Sequence, residues 1–259
     1  KHNKIKSLAL CDTTNLCGAL EFAQKISKVG TQPIIGTQIN FKFGNTTGLL
    51  PLYALNAEGY KKIIELSSLS FLKNDELSDA HLDFEYLLKK MNGVALFSGT
   101  INGLFGHLFH KGKFNEISEL YSKLKSIYQD KFYVEIQRHP ISEGRYLDKE
   151  IFTEKTLIEL AYELNLPLVA TNDVHFPARA MFEAHDALIC IGDGTYVDQK
   201  EERRRFTTEH YFKSQEEMIA LFADLPEAIK NTVEITKRCA FKANVREPIL
   251  PKFADDEVE

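Results

Sequence analysis

Asp173 and His175 are the two residues whose types and spacing point most directly to chemistry. They close the stretch Leu168-Val169-Ala170-Thr171-Asn172-Asp173-Val174-His175, an apolar run ending in Asn-Asp-x-His. Side chains alternate along an extended chain, so a carboxylate and an imidazole two residues apart point to the same side. Such a pair at the C-terminal end of a buried strand suits metal-dependent hydrolysis on a β/α barrel, whose sites sit at that face. A hydrogen-bonded structural pair would use the same two residues, so the motif alone leaves both readings open.

The elements that must position this pair read as alternating strands and helices. Ser7 to Asp12 is a short apolar strand, and Leu16 to Val29 has helical spacing up to Gly30. Pro33–Phe41 and Leu49–Leu55 read as strands joined through the turn Gly44-Asn45-Thr46-Thr47-Gly48, a possible hairpin. Helices are expected over Ala57–Leu72, Phe84–Met91, Phe114–Tyr128 and Asp148–Leu164, and strands over Val94–Ser98, Phe132–Ile136 and from Leu168. After His175 only helices are expected, over Ala180–Ile191, Ser214–Phe222 and Glu227–Cys239. This alternation implies a mostly parallel sheet, as a barrel or an open doubly wound sheet, and periodicity does not separate the two. Polar residues collect where strands end: Asp12, Gln38, Thr100, Gln137-Arg138-His139, Asp173 and His175. His139 could face a phosphate or serve as a turn residue before Pro140; His185, on an apolar helix face, reads as a satisfied core histidine.

Composition bounds the function. The chain has 259 residues and a net charge of −5, with basic residues scattered apart from Arg203-Arg204-Arg205, which reads as a solvated run. That argues against a strong stand-alone nucleic-acid surface. Cys11, Cys17, Cys190 and Cys239 form no C-x-x-C pair and read as buried thiols of a cytoplasmic protein. No run approaches the roughly 18 apolar residues of a membrane span, so no membrane partner is expected. The opening Lys1-His2-Asn3-Lys4 leads directly into a strand, and the sequence reads as a piece of something longer. The closing Pro251–Glu259 stretch reads as an acidic linker.

Several ordered segments resemble the N-terminal PHP (polymerase and histidinol phosphatase) domain of bacterial replicative DNA polymerase III alpha subunits. They are Leu10-Cys11-Asp12-Thr13-Thr14-Asn15-Leu16-Cys17-Gly18, Pro33-Ile34-Ile35-Gly36, Asn56-Ala57-Glu58-Gly59-Tyr60, Phe97-Ser98-Gly99, Pro167 to His175 and Glu183-Ala184-His185-Asp186. The most specific is the block from Lys213-Ser214-Gln215-Glu216-Glu217-Met218 through Asp224-Leu225-Pro226-Glu227-Ala228 to Cys239 and Leu250-Pro251-Lys252-Phe253.

The resemblance implies an α/β fold: a distorted PHP-type β/α barrel over 1–195, seven-stranded in the family with its first strand missing here. A helical C-terminal part over 196–245 and a linker over 246–259 toward a polymerase palm would follow. It also implies a degenerate metal site. Thr13 stands where the family has a histidine, beside a retained Asp12; Gln38 replaces a glutamate, Leu49 a histidine and Thr100 a cysteine. Only Asp173 and His175 remain as ligands, vestigial at best. A catalytic metal needs about three protein ligands and an open position. The resemblance therefore implies no catalytic residue and no cofactor in this segment, with weak residual divalent-metal binding at most. The implied partners are the polymerase body of the same parent chain, the proofreading exonuclease subunit, and DNA reached through the parent chain. The alternative is a metal-dependent PHP phosphoesterase or a 3′–5′ exonuclease.

Overall fold

The computed structural model describes residues 5–74, 78–89, 91–140, 148–245 and 247; the linker expected over 246–259 lies outside them apart from Glu247. Seven strands and eight α-helices follow one another as β1 (Ser7–Thr13), α1 (Ala19–Lys28), β2 (Gln32–Phe43), β3 (Thr46–Ala54), α2 (Ala57–Leu72), β4 (Leu82–Asp83), β5 (Val94–Phe97), α3 (Leu104–His110), α4 (Phe114–Tyr128), β6 (Phe132–Gln137), α5 (Asp148–Glu163), β7 (Leu168–Thr171), α6 (Phe182–Asp193), α7 (Gln215–Leu221) and α8 (Pro226–Arg238).

The strands form one mixed sheet in the order β1-β2-β3-β5-β6-β7, with the two-residue β4 pairing off β2. β1–β2, β5–β6 and β6–β7 are parallel, whereas β3 runs antiparallel to both its neighbours. Alternation sorts the strand residues into two layers. Phe132, Val134 and Ile136 of β6 and Leu168 and Ala170 of β7 join the large core beneath the helices. Tyr133 and Val169, on the opposite face, meet Ile34, Ala95 and Phe97 in an inner cluster, against which α8 lays Ile235 and Cys239. The sheet is thus curled around its own inner face, the arrangement of a distorted β/α barrel.

The curl is not closed. β1 and β7 end the strand order, and an apolar cavity of about 560 Å³ is lined by Ile5–Ala9 on one side and Val169–Thr171 on the other. Among the described residues each of these strands pairs on one edge only, leaving a row of backbone groups along the other. The helical segment after β7 belongs to the same body, because Phe222, Leu225 and Ala228 sit in the large core.

The family-like motifs have local structural reasons. Asn56 caps α2 by accepting from the Gly59 N–H at 2.9 Å. A Cβ on Gly59 would stand 1.7 Å from the Gly93 carbonyl, so that contact admits no side chain. Ser214 and Glu217 form a reciprocal capping box on α7, and Pro226 opens α8.

Several expectations need correction. The turn between β2 and β3 is tighter than Gly44–Gly48, because Thr46, Thr47 and Gly48 already pair with β2. The expected helix over Phe84–Met91 is a short 3-10 segment, Phe84–Leu88. α3 was not foreseen: it has seven residues, with Leu104, Phe105, Leu108 and Phe109 buried and only His107 and His110 on its polar side, too short a run to show a period. Of the four cysteines only Cys190 and Cys239 are buried; Cys11 is half-buried and Cys17 is exposed in the turn before α1. Arg203-Arg204-Arg205 is not a free charge run: Arg203 makes a two-pronged pair with Asp186 and Arg204 with Asp193.

Candidate functional site at the barrel mouth

Register and pleat gather the polar residues. Thr13 pairs with Gln38 across β1–β2, and Asn40 with Leu49 across β2–β3. Thr13 and Gln38 therefore lie on the face that carries Ile34, with Gln38 four residues beyond Ile34 and Thr13 four beyond its partner Ala9. Gly36 lies between, where a Cβ would meet the Tyr53 ring at 2.6 Å. On the far side, Glu135 and Gln137 follow Tyr133 on the inner face of β6, and Thr171 follows Val169 on β7. One mouth thus receives Thr13, Gln38 and Leu49 from one half, and Glu135, Gln137, Thr171 and Asp173 from the other.

The first half is neutral. The Gln38 amide donates to Thr13 Oγ1 at 3.0 Å. Asp12, on the other face, holds its strand through its backbone carbonyl, which accepts from Thr37 Oγ1 at 2.7 Å. Leu49 is half-buried and forms an isolated bridge with Gly103. Thr100 caps the turn there, its carbonyl accepting from the Gly103 N–H, and shares a small crevice with Glu135, Gln137 and Glu150.

The second half keeps its ionisable groups. β7 ends at Thr171, so Asp173 and His175 stand in the loop beyond it, yet His175 Nε2 lies 3.1 Å from Asp173 Oδ2. His210 Nε2 lies 3.9 Å from the same oxygen, and the His175 N–H donates to the His210 carbonyl. Burial would raise the Asp173 carboxyl, but His175, His210 and His139 outweigh it and hold it below the usual aspartate range. His210, buried and stacked on His139 at 4.0 Å, is pushed down to about 3. His139 lies just past the end of β6, before Pro140. It is buried, its Nδ1 is 2.8 Å from Glu150 Oε1, and its backbone N–H donates to Glu150 Oε2. His185 sits between His175, Phe176 and Phe206, but its buried Nδ1 has no partner, so it is packed rather than satisfied.

Glu135 is the site residue that sequence reasoning missed. It is buried, its pKa pushed up to about 7 by burial, against the bond from Thr171 Oγ1 at 2.5 Å and with the nearby Asp173 charge adding to the rise. The signal was present as a lone carboxylate in Phe132-Tyr133-Val134-Glu135-Ile136, two residues from the foreseen Gln137. Arg138 turns the other way. It clamps Glu154 and Asp224, donates to the Leu221 carbonyl, and stacks on Phe222, tying β6 to α5 and to the α7–α8 turn.

With this geometry in hand, the PHP domain matches residues 1–139, more than half of the chain. The chain belongs to the PHP domain family. DNA polymerase III subunit alpha of Caulobacter vibrioides is 42% identical over 258 residues, covering 96% of this chain and 22% of that protein. The Rickettsia conorii protein of the same name is 40% identical over 260 residues, covering 99% and 21%, and that of Pseudomonas aeruginosa is 33% identical over 250 residues, covering 95% and 21%. The chain thus spans about a fifth of the length of these relatives. The metal centre that the resemblance implies does not fit the side chains of this PHP domain. Gln38 commits its amide to Thr13, and Leu49 has no donor atom. Among the described residues no group of three or more His, Cys, Asp or Glu side chains is arranged to hold a metal ion. Among them, too, no helix is long and apolar enough to cross a membrane.

Proposed function

We propose that this PHP domain is a non-catalytic scaffold within a DNA polymerase III alpha subunit. The parent chain would extend DNA by nucleotidyl transfer from carboxylates outside this segment. The observation that carries the reading is the Gln38–Thr13 hydrogen bond. Two neutral side chains satisfy each other where a hydrolytic metal centre needs anionic or imidazole donors. The similarity to alpha subunits over nearly the whole segment supports the parent activity. In that setting the domain packs against the polymerase body and offers a docking surface to the proofreading exonuclease; a pull-down tests the second point, and no binding would remove it.

A second reading, a metal-dependent phosphoesterase or 3′–5′ exonuclease, is favoured by one arrangement alone: Asp173 flanked by His175, His210 and the acidic Glu135. Metal analysis of the full parent chain separates the two. The scaffold reading expects zinc and manganese well below one ion per chain, and phosphatase activity unchanged by Asp173→Ala. Tightly bound stoichiometric metal, with activity abolished by Asp173→Ala, would overturn it.

A further inference from the structure

The loop and helix after β7 carry an apolar face that the barrel does not use. On α6, Asp186, Ile189 and Cys190 are buried against the body. The opposite side presents Met181, Ala184, Leu188 and Ile191 at steps of three, four and three, the spacing of a helix–helix seam. Leu188 is 63% exposed and Ile191 79%; Tyr196 and Val197, just past the left-handed Gly194 that ends the helix, are exposed as well. Residues 196–205 are not loose. Arg203 is fixed on Asp186 and donates to the Val197 carbonyl, as does Arg205, while Arg204 is fixed on Asp193. Arg203 and Arg204 are thereby committed to carboxylates, so an apolar protein surface suits this face better than a nucleic-acid backbone does.

Size indicates what kind of occupant. These side chains expose roughly a few hundred Å² of apolar surface, a patch of the size that is often functional. It falls short of the ~800 Å² per partner that a free-standing specific complex buries. A patch this small holds an occupant that is tethered to it, because the tether replaces bimolecular association with a high effective concentration. The relatives are about five times as long as this segment, so they carry ample chain to supply one.

We propose that the exposed face of α6 is the docking face for an amphipathic helix from the part of the same polypeptide outside this segment. The inference rests on the reading of this domain as part of a polymerase chain. The test places a photoactivatable benzoylphenylalanine at Ile191 of the full parent chain, with a control at Lys25, whose side chain is 73% exposed. The expected result is intrachain cross-links from position 191 to peptides beyond this segment, at several-fold higher yield than from position 25. The double variant Leu188→Glu/Ile191→Glu should release the PHP segment several-fold faster in limited proteolysis. Yields equal to the control, cross-links chiefly between two copies, or cross-links chiefly to the exonuclease would each overturn the proposal. Primer extension by the unlabelled parent keeps the two readings apart. Its absence overturns the polymerase reading; normal extension with a free position 191 overturns the docking face alone.

Discussion

The two halves of the barrel mouth solve the same problem in different ways. Where β1 ends beside the middle of β2, a neutral amide and a neutral hydroxyl satisfy each other at 3.0 Å near the surface. Where β6 and β7 end, Glu135, Asp173, His175, His139 and His210 remain ionisable and are held by burial, by stacking and by each other. In the first half, the Gln38–Thr13 pair carries no charge that needs compensating. In the second, the ionisable groups persist, and the surrounding structure gives them partners: Thr171 Oγ1 donates to Glu135, Glu150 holds the His139 ring, and the Arg138 clamp ties the strand to α5 behind them. The contrast predicts that stability and pH sensitivity reside in the β6–β7 half.

The largest expected effect is Arg138→Met. It strips the partner from Glu154 and Asp224 and frees the Leu221 carbonyl, a loss of about 3 kcal/mol, kept at the low end because Asp224 is mostly exposed. Urea unfolding at neutral pH measures it; a loss below about 1 kcal/mol would show that the clamp holds little. Next is Glu135→Gln. A carboxyl raised in the folded state from 4.5 to about 7 contributes its stabilisation fully below the lower value and loses it as pH rises through the upper one. Wild-type stability should therefore fall relative to the variant between pH 4.5 and pH 7, by on the order of 2–3 kcal/mol, and run parallel above that. Parallel curves across the whole range would mean that folding leaves the Glu135 carboxyl unshifted. The smallest effect is Gln38→Leu, about 0.5 kcal/mol or less, because the bond it removes is neutral and solvent-accessible. A loss comparable to that of Arg138→Met would erase the distinction between the halves.

Much of this was legible in the chain. β6 and β7 declare themselves because a buried strand needs continuous apolar residues, and Leu168–Thr171 has them. Asp173 and His175 meet as their two-residue spacing requires, although both lie past the strand end. The short 3-10 segment Phe84–Leu88 and the seven-residue, mostly buried α3 were harder, because both are too short to show a period. The gathering of His210 with His139 was not legible either: seventy-one residues separate them, and only folding stacks their rings.

The sequence by itself determined the alternating strand–helix order, the family, and the neutral residue types at Thr13, Gln38 and Leu49, since all three depend on residue type, local spacing or ordered motifs. Only the tertiary structure decided that Gln38 bonds Thr13, that Glu135 shares the inner face with Asp173, that Arg203 and Arg204 are occupied, and that one side of α6 is left uncovered. Those outcomes depend on contacts between residues far apart in the chain, and on what remains accessible once the core has formed.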